Sequence, residues 1–121
     1  RAEDIKEAKK IWNNPQKLFG VSTHNLEQAK QAVKKGADYI GIGPIFPSET
    51  KKQLNPIGID YLKKGLSETL LPAFAIGGMN KSNITKLNQI NNLRIAVCNA
   101  IINSNNPFST TDELIKLLKC N

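Results

Sequence analysis

The sequence has 121 residues, of which 40% are hydrophobic and 6% aromatic, enough for one small domain and too little for two. A formal net charge of +7 favours anionic ligands, and no apolar run approaches the ~18 residues that a membrane-crossing helix needs. Cys98 and Cys120, the only two cysteines, make no C-x-x-C spacing, which argues against a disulfide scaffold or a cysteine zinc site and fits a reducing compartment.

Residues 2–13 are predicted to form a helix. Ala2, Ile5, Ala8, Ile11 and Trp12 recur on one side, with Trp12 expected as a core anchor. Glu3 and Asp4 near the start and Lys9 and Lys10 near the end complement the helix dipole, and Asn13-Asn14-Pro15 stops the helix. Residues 17–22 read as a short strand running into Thr23-His24-Asn25. Asn25 is an N-cap with Gln28 three residues on, and Leu26, Ala29, Ala32 and Val33 line the apolar side of a helix ending at Lys34-Lys35-Gly36.

Residues 37–43 are the next strand. Pro44 ends it, and the loop that follows carries Ser48, Glu49, Thr50, Lys51 and Lys52: two hydroxyls, a carboxylate and two ammonium groups. The other lysine pairs (9–10, 34–35, 63–64) fall on predicted helices and read as solvated surface. Residues 59–68 are a weak helix interrupted by Gly65. Residues 72–78 are a strongly apolar strand ending in Gly77-Gly78. Residues 81–90 are predicted helical with Ile84, Leu87 and Ile90 inward. Residues 93–98 form a last strand, 103–107 a loop, and Thr110-Thr111-Asp112-Glu113 a capping-box start to the final helix.

An initial helix followed by four strand-helix units implies a parallel sheet with right-handed crossovers. In such folds ligands bind at the C-terminal ends of the strands. Those ends carry Ser22-Thr23-His24, then residues 44–52, then Gly77-Gly78, then Cys98-Asn99-Ala100. Ser22 and Thr23 offer hydroxyls, Lys51 a point charge, and the glycine pair and the turn after Cys98 offer backbone N–H groups to an anion. His24, the only histidine, is either a general acid or base or a residue that orients the loop. Cys98 has no base to pair with and ends a predicted buried strand, so a nucleophilic role is disfavoured. No metal cluster is visible: Asp38 starts a strand, and Glu3 and Asp4 start the first helix.

The motifs Gly-Val-Ser-Thr-His-Asn at 20–25, Ala-Asp-Tyr-Ile-Gly-Ile-Gly-Pro-Ile-Phe-Pro-Ser-Glu-Thr-Lys-Lys at 37–52, Ala-Ile-Gly-Gly at 75–78 and Ile-Ala-Val-Cys-Asn-Ala-Ile at 95–101 come in this order and spacing. Together they closely resemble the thiamine phosphate synthase family over nearly the whole chain, the second being the most diagnostic. The resemblance implies a (β/α)8 TIM barrel and a Mg²⁺-dependent transferase. Such an enzyme joins hydroxymethylpyrimidine diphosphate to hydroxyethylthiazole phosphate, giving thiamine phosphate and pyrophosphate. Carried over by position, Ser22 and Lys51 match the residues that hold the pyrimidine diphosphate and act on the leaving pyrophosphate. Ser48, Glu49, Thr50, Gly78, Cys98 and Asn99 match contacts to the thiazole phosphate. Ser48 stands where the family often has Thr, and Asn99 where Ser is common, which loses a hydroxyl contact.

Four units are half of an eight-unit barrel, whose usual lower size is ~200 residues. Residues 1–121 are therefore expected to be the C-terminal half of such a barrel, with the helix at 2–13 leading it. The Mg²⁺ ligands and the main pyrimidine contacts are then expected in the missing N-terminal half, and the chain alone is expected to lack synthase activity. The expected partners are small phosphorylated substrates and, in a split enzyme, that missing half, with a homo-oligomer left open and no nucleic acid or membrane. The expected location is the cytoplasm, or an organelle stroma in a plastid-bearing source. Three rival readings stand beside this one. They are a thiazole tautomerase of the same barrel family using His24, a non-catalytic basic binding module, and a decayed fragment.

Overall fold

A computed structural model of the protein describes residues 4–48 and 55–118. Its elements are α1 (Ile5–Ile11), β1 (Gly20–Thr23), α2 (Leu26–Lys34), β2 (Tyr39–Ile42), α3 (Gly58–Ser67), β3 (Ala73–Ile76), a 3-10 helix (Ile84–Leu87), β4 (Arg94–Ala96), α4 (Asn99–Ile102) and α5 (Pro107–Leu118). The four strands form one sheet in the order β1-β2-β3-β4, every pair parallel. All four strands therefore end on the same side, as the alternation of strands and helices requires.

The register divides the sheet into two unlike faces. Val21 pairs with Ile40, Ile40 with Ala73, and Ile42 with Thr23 and Ala75, so these residues share one face. That face is covered by helices and holds the core: Ile40 and Ala75 are fully buried, together with Leu62 of α3 and Ile45. Each of the isoleucine and leucine side chains contributes about 1.5–3 kcal/mol by leaving water. Gly65 sits in this layer because a Cβ there would lie 3.3 Å from Ile42 Cδ1, so its lack of a side chain lets α3 approach β2. The opposite face carries Gly20, Ser22, Tyr39, Gly41, Phe74 and Ile76. Tyr39 and Ile76 are exposed there, and Tyr39 meets Phe74 edge-on with centroids 5.8 Å apart. Parallel sheets normally bury both faces. Among the described residues, only one face of this sheet is covered.

Local signals explain most boundaries. Asp4 caps α1 by accepting from the Lys6 N–H at 2.8 Å. Asn25 caps α2 by accepting from the Gln28 N–H at 2.8 Å, while Gln28 Oε1 accepts from the His24 N–H at 2.7 Å, one residue before the usual capping-box donor. Gly36, at φ +85°, ends that helix in the left-handed conformation. Lys9 then ties α1 to this corner, donating to Gly36 O at 2.7 Å beside the Asp38 carboxylate.

Four expectations need correction. The first helix ends at Ile11, one residue short of Trp12, whose backbone leaves helical angles. Trp12 is therefore turned outward at 57% exposure instead of anchoring the core, packing edge-on against Phe19 with Lys17 over its ring. Residues 81–90 form only a 3-10 helix, because Asn80 Oδ1 takes the Ser82 and Asn83 N–H groups and draws the chain into a turn. The final helix begins at Pro107, with Asn106 Oδ1 accepting from the Ser109 N–H, so Thr110 lies inside it, buried against Ser104. The strand predicted over 93–98 stops at Ala96, leaving Cys98 exposed.

Candidate functional site

The C-terminal ends of the strands are joined by backbone contacts that run from β1 across to β3. Gly43 N–H donates to Thr23 O at 3.2 Å, Ile45 N–H to Ile76 O at 3.0 Å, and Phe46 N–H to Gly77 O at 3.1 Å. The chain leaving β2 is thus laid over the end of β3. Two glycines permit this. A Cβ on Gly43 would lie 2.0 Å from Ile76 O, and one on Gly77 would lie 2.6 Å from Pro44 Cα. Gly77 and Gly78 also take φ of +109° and +71°, which side chains rarely tolerate. Asn83 Nδ2 fixes the pair from below by donating to Gly78 O at 2.7 Å.

Beyond β4 comes the second part of this edge. Cys98, with non-helical angles, precedes the single turn of α4, of which Asn99 is the first residue.

By strand, the described candidates fall into two clusters. Ser48 follows Pro47, whose carbonyl lies against Gly78 after β3, and Cys98 and Asn99 follow β4, the strand paired with β3. Ser22 lies on β1, exposed and paired with Gly41, on the open face of the sheet. Two strand spacings, roughly 10 Å across the sheet, separate β1 from β3. A groove of about 240 Å³ flanks β1 and includes Ser22, Glu27, Gln28 and Lys35. Glu49, Thr50 and Lys51 lie outside the described residues.

Thr23 changes role. The residue is 2% exposed, and its hydroxyl, counted as a ligand donor from sequence, donates to Gly41 O at 2.8 Å. It clamps β1 to β2 and is withheld from any ligand. Two positioning residues escaped the sequence reading: Asn83, beneath Gly78, and Tyr61, whose hydroxyl accepts from the Leu26 N–H at 3.0 Å and closes the start of α2. A hydroxyl reaching across 35 residues has no local signature. Asn83 sits in an Asn-Lys-Ser-Asn run that signals a turn, without showing which carbonyl the turn serves.

Among the described residues, no three His, Cys, Asp or Glu side chains converge in a way that could hold a metal ion. Among those same residues, no helix is long and apolar enough to cross a membrane.

Comparison with known proteins places this geometry. The thiamine monophosphate synthase family profile matches residues 1–101. A thiamine-phosphate synthase of Prochlorococcus marinus is 44% identical over 115 residues, covering 95% of this chain and 33% of that protein. One from Dictyoglomus turgidum is 41% identical over 103 residues, covering 84% of this chain and 46% of that protein. Among solved structures, a thiamine phosphate pyrophosphorylase from Pyrococcus furiosus superposes with a TM-score of 0.85 at 34% identity, over 98% of this chain and 56% of that one. The chain thus spans about a third of the length of the Prochlorococcus relative it matches.

Proposed function

Since the chain belongs to the thiamine monophosphate synthase family, we propose that it is part of a transferase that joins hydroxymethylpyrimidine diphosphate to hydroxyethylthiazole phosphate. The observation that carries this reading is the packed strand-end edge. There Gly77 and Gly78 lie beneath the turn after β2, and Asn99 opens a short helix after β4, the strand paired with β3.

The uncovered sheet face supports a closed (β/α)8 barrel for the whole protein. In such a barrel, Ser22, Tyr39 and Ile76 face the interior, and four further strands complete the wall. Residues 1–121 then form its second half, and the greater length of the relatives is consistent with that.

The reaction needs no protein nucleophile. The C–O bond between the pyrimidine methylene and the diphosphate breaks, and pyrophosphate leaves with the electron pair. The aminopyrimidine ring stabilises the resulting cation, and the thiazole nitrogen donates its lone pair to form the new C–N bond. No proton is transferred. The protein's part is to align the two substrates and stabilise the departing anion. In this reading Ser48, Glu49, Thr50, Gly78, Cys98 and Asn99 hold the thiazole phosphate, and Ser22 and Lys51 the diphosphate. The two to three strand spacings between the clusters, roughly 10–15 Å across the sheet, suit two phosphorylated substrates meeting between them.

The family chemistry calls for Mg²⁺, and the described residues do not supply a site for it. Its ligands are assigned to the other half of the barrel.

A domain-exchange chimera tests the reading. In the Prochlorococcus marinus synthase, the 115-residue matching segment is replaced by this chain. With both substrates and Mg²⁺ the chimera is expected to form thiamine phosphate. A folded chimera that forms none overturns the proposal.

A further inference from the structure

His24 directly follows β1, and its contacts define what its ring does. Its Nδ1 lies 2.7 Å from Gly43 O. A carbonyl oxygen only accepts, so the ring nitrogen donates, and the neutral imidazole carries its proton on Nδ1. The backbone is fixed as well, since Gln28 Oε1 accepts from the His24 N–H at 2.7 Å. The side chain is exposed, and Nε2 has no hydrogen-bond partner among the described residues.

Gly43 is where the chain turns off β2 and crosses β3. On one side its N–H is bonded to Thr23 O, and on the other the next residues bond to Ile76 and Gly77. Its carbonyl is the group that His24 holds. We propose that His24 is a positioning residue, which by donating from Nδ1 to Gly43 O holds the turn of residues 43–48 over Gly77 and Gly78 and so preforms the anion site.

The alternative is proton transfer through the accessible Nε2. The transferase reaction offers no proton to move, so that alternative has no substrate in it. The link to an anion site rests on the reading given under Proposed function, whereas the tautomer and the strut do not.

The test uses the single histidine of the chain, whose imidazole resonances need no assignment by mutation. Long-range ¹H–¹⁵N spectra of the full chain, at a pH where the ring is neutral, are expected to show Nδ1 protonated and Nε2 bare. A spectrum with the proton on Nε2, or averaged over both, overturns the proposal.

Substitutions then separate the two ring nitrogens. His24→Asn keeps an amide N–H near the position of Nδ1, and His24→Gln reaches only the position of Nε2. With inorganic phosphate as probe, His24→Asn is expected to bind within about 2-fold of the parent, and His24→Gln and His24→Ala about 5-fold or more weaker, the loss of one hydrogen bond. Binding that is equal in all four proteins, or restored by Gln and not by Asn, overturns the proposal. The outcomes are distinguishable from failure of the transferase reading. A chimera without turnover whose His24 still shows the Nδ1 tautomer and Asn rescue removes the reaction and keeps the strut. A chimera with turnover that Gln alone rescues removes the strut and keeps the reaction.

Discussion

Gly78 lies so close beneath Pro47 that a Cβ on Gly78 would stand 2.5 Å from the Pro47 carbonyl oxygen. The same position has a φ of +71°. Sterics and backbone angle thus demand the same residue, and the demand comes from the loop that carries Ser48.

Gly78→Ala is therefore expected to disturb this loop before it disturbs the core. The left-handed angle alone costs about 1–2 kcal/mol for a residue with a side chain. A fall in Tm of roughly 4–8 °C in calorimetry, with weakened phosphate binding, is the expected outcome. Unchanged phosphate binding in the variant would remove Gly78 from the anion site.

Gly43→Ala and Gly58→Ala form an informative pair. At Gly43 the added Cβ meets Ile76 O at 2.0 Å, whereas at Gly58 nothing lies within 4 Å and only φ, at +80°, opposes the change. Denaturant melts are expected to show a loss of about 1 kcal/mol for Gly58→Ala, from backbone strain alone. Gly43→Ala is expected to lose at least about 2 kcal/mol, in the range of other overpacking substitutions. Equal losses would mean that β2 and β3 do not approach as closely as described.

Thr23→Val tests the buried clamp between β1 and β2. The swap keeps the shape and removes the donor to Gly41 O. A loss of about 1 kcal/mol is expected from the carbonyl left short of a partner. Because Thr23 is withheld from ligand, phosphate affinity is expected to stay within 2-fold or so. A large affinity loss without a stability loss would return its hydroxyl to the ligand.

Lys51→Ala, made in the chimera, addresses the departing pyrophosphate. Removal of a key electrostatic group commonly costs 10²-fold or more, and kcat/KM is expected to fall by about that factor. A rate equal to that of the unaltered chimera would detach Lys51 from the leaving group.

The order of strands and helices, and the one edge on which all four strands end, are legible in the sequence because they follow from short-range patterns. Apolar runs ended by glycine or proline mark the strands, and Asn25 and Gly36 mark the ends of α2. What the sequence hides is long-range. Nothing near His24 tells that its ring meets the carbonyl of Gly43, 19 residues on. Thr23 reads as an available hydroxyl because alternation along a four-residue strand does not tell which face is covered. Trp12 reads as a core residue because the apolar stripe continues for one residue after the helix has stopped at Ile11. At 106–107 the Asn-Pro signature of a helix start was present, and a capping-box pattern four residues later competed with it.

The outward turn of Trp12 makes the chain a two-colour instrument. Trp12 packs on Phe19, just before β1, and His24 follows β1 directly, so the only indole and the only imidazole mark opposite poles of one strand. A phosphorylated ligand seated on the turn after β2 should shift the imidazole resonances and leave indole emission unchanged. A compound that quenches the indole announces itself at the other pole. One unlabelled titration, followed by both signals, thus sorts ligands by the end of the sheet they occupy.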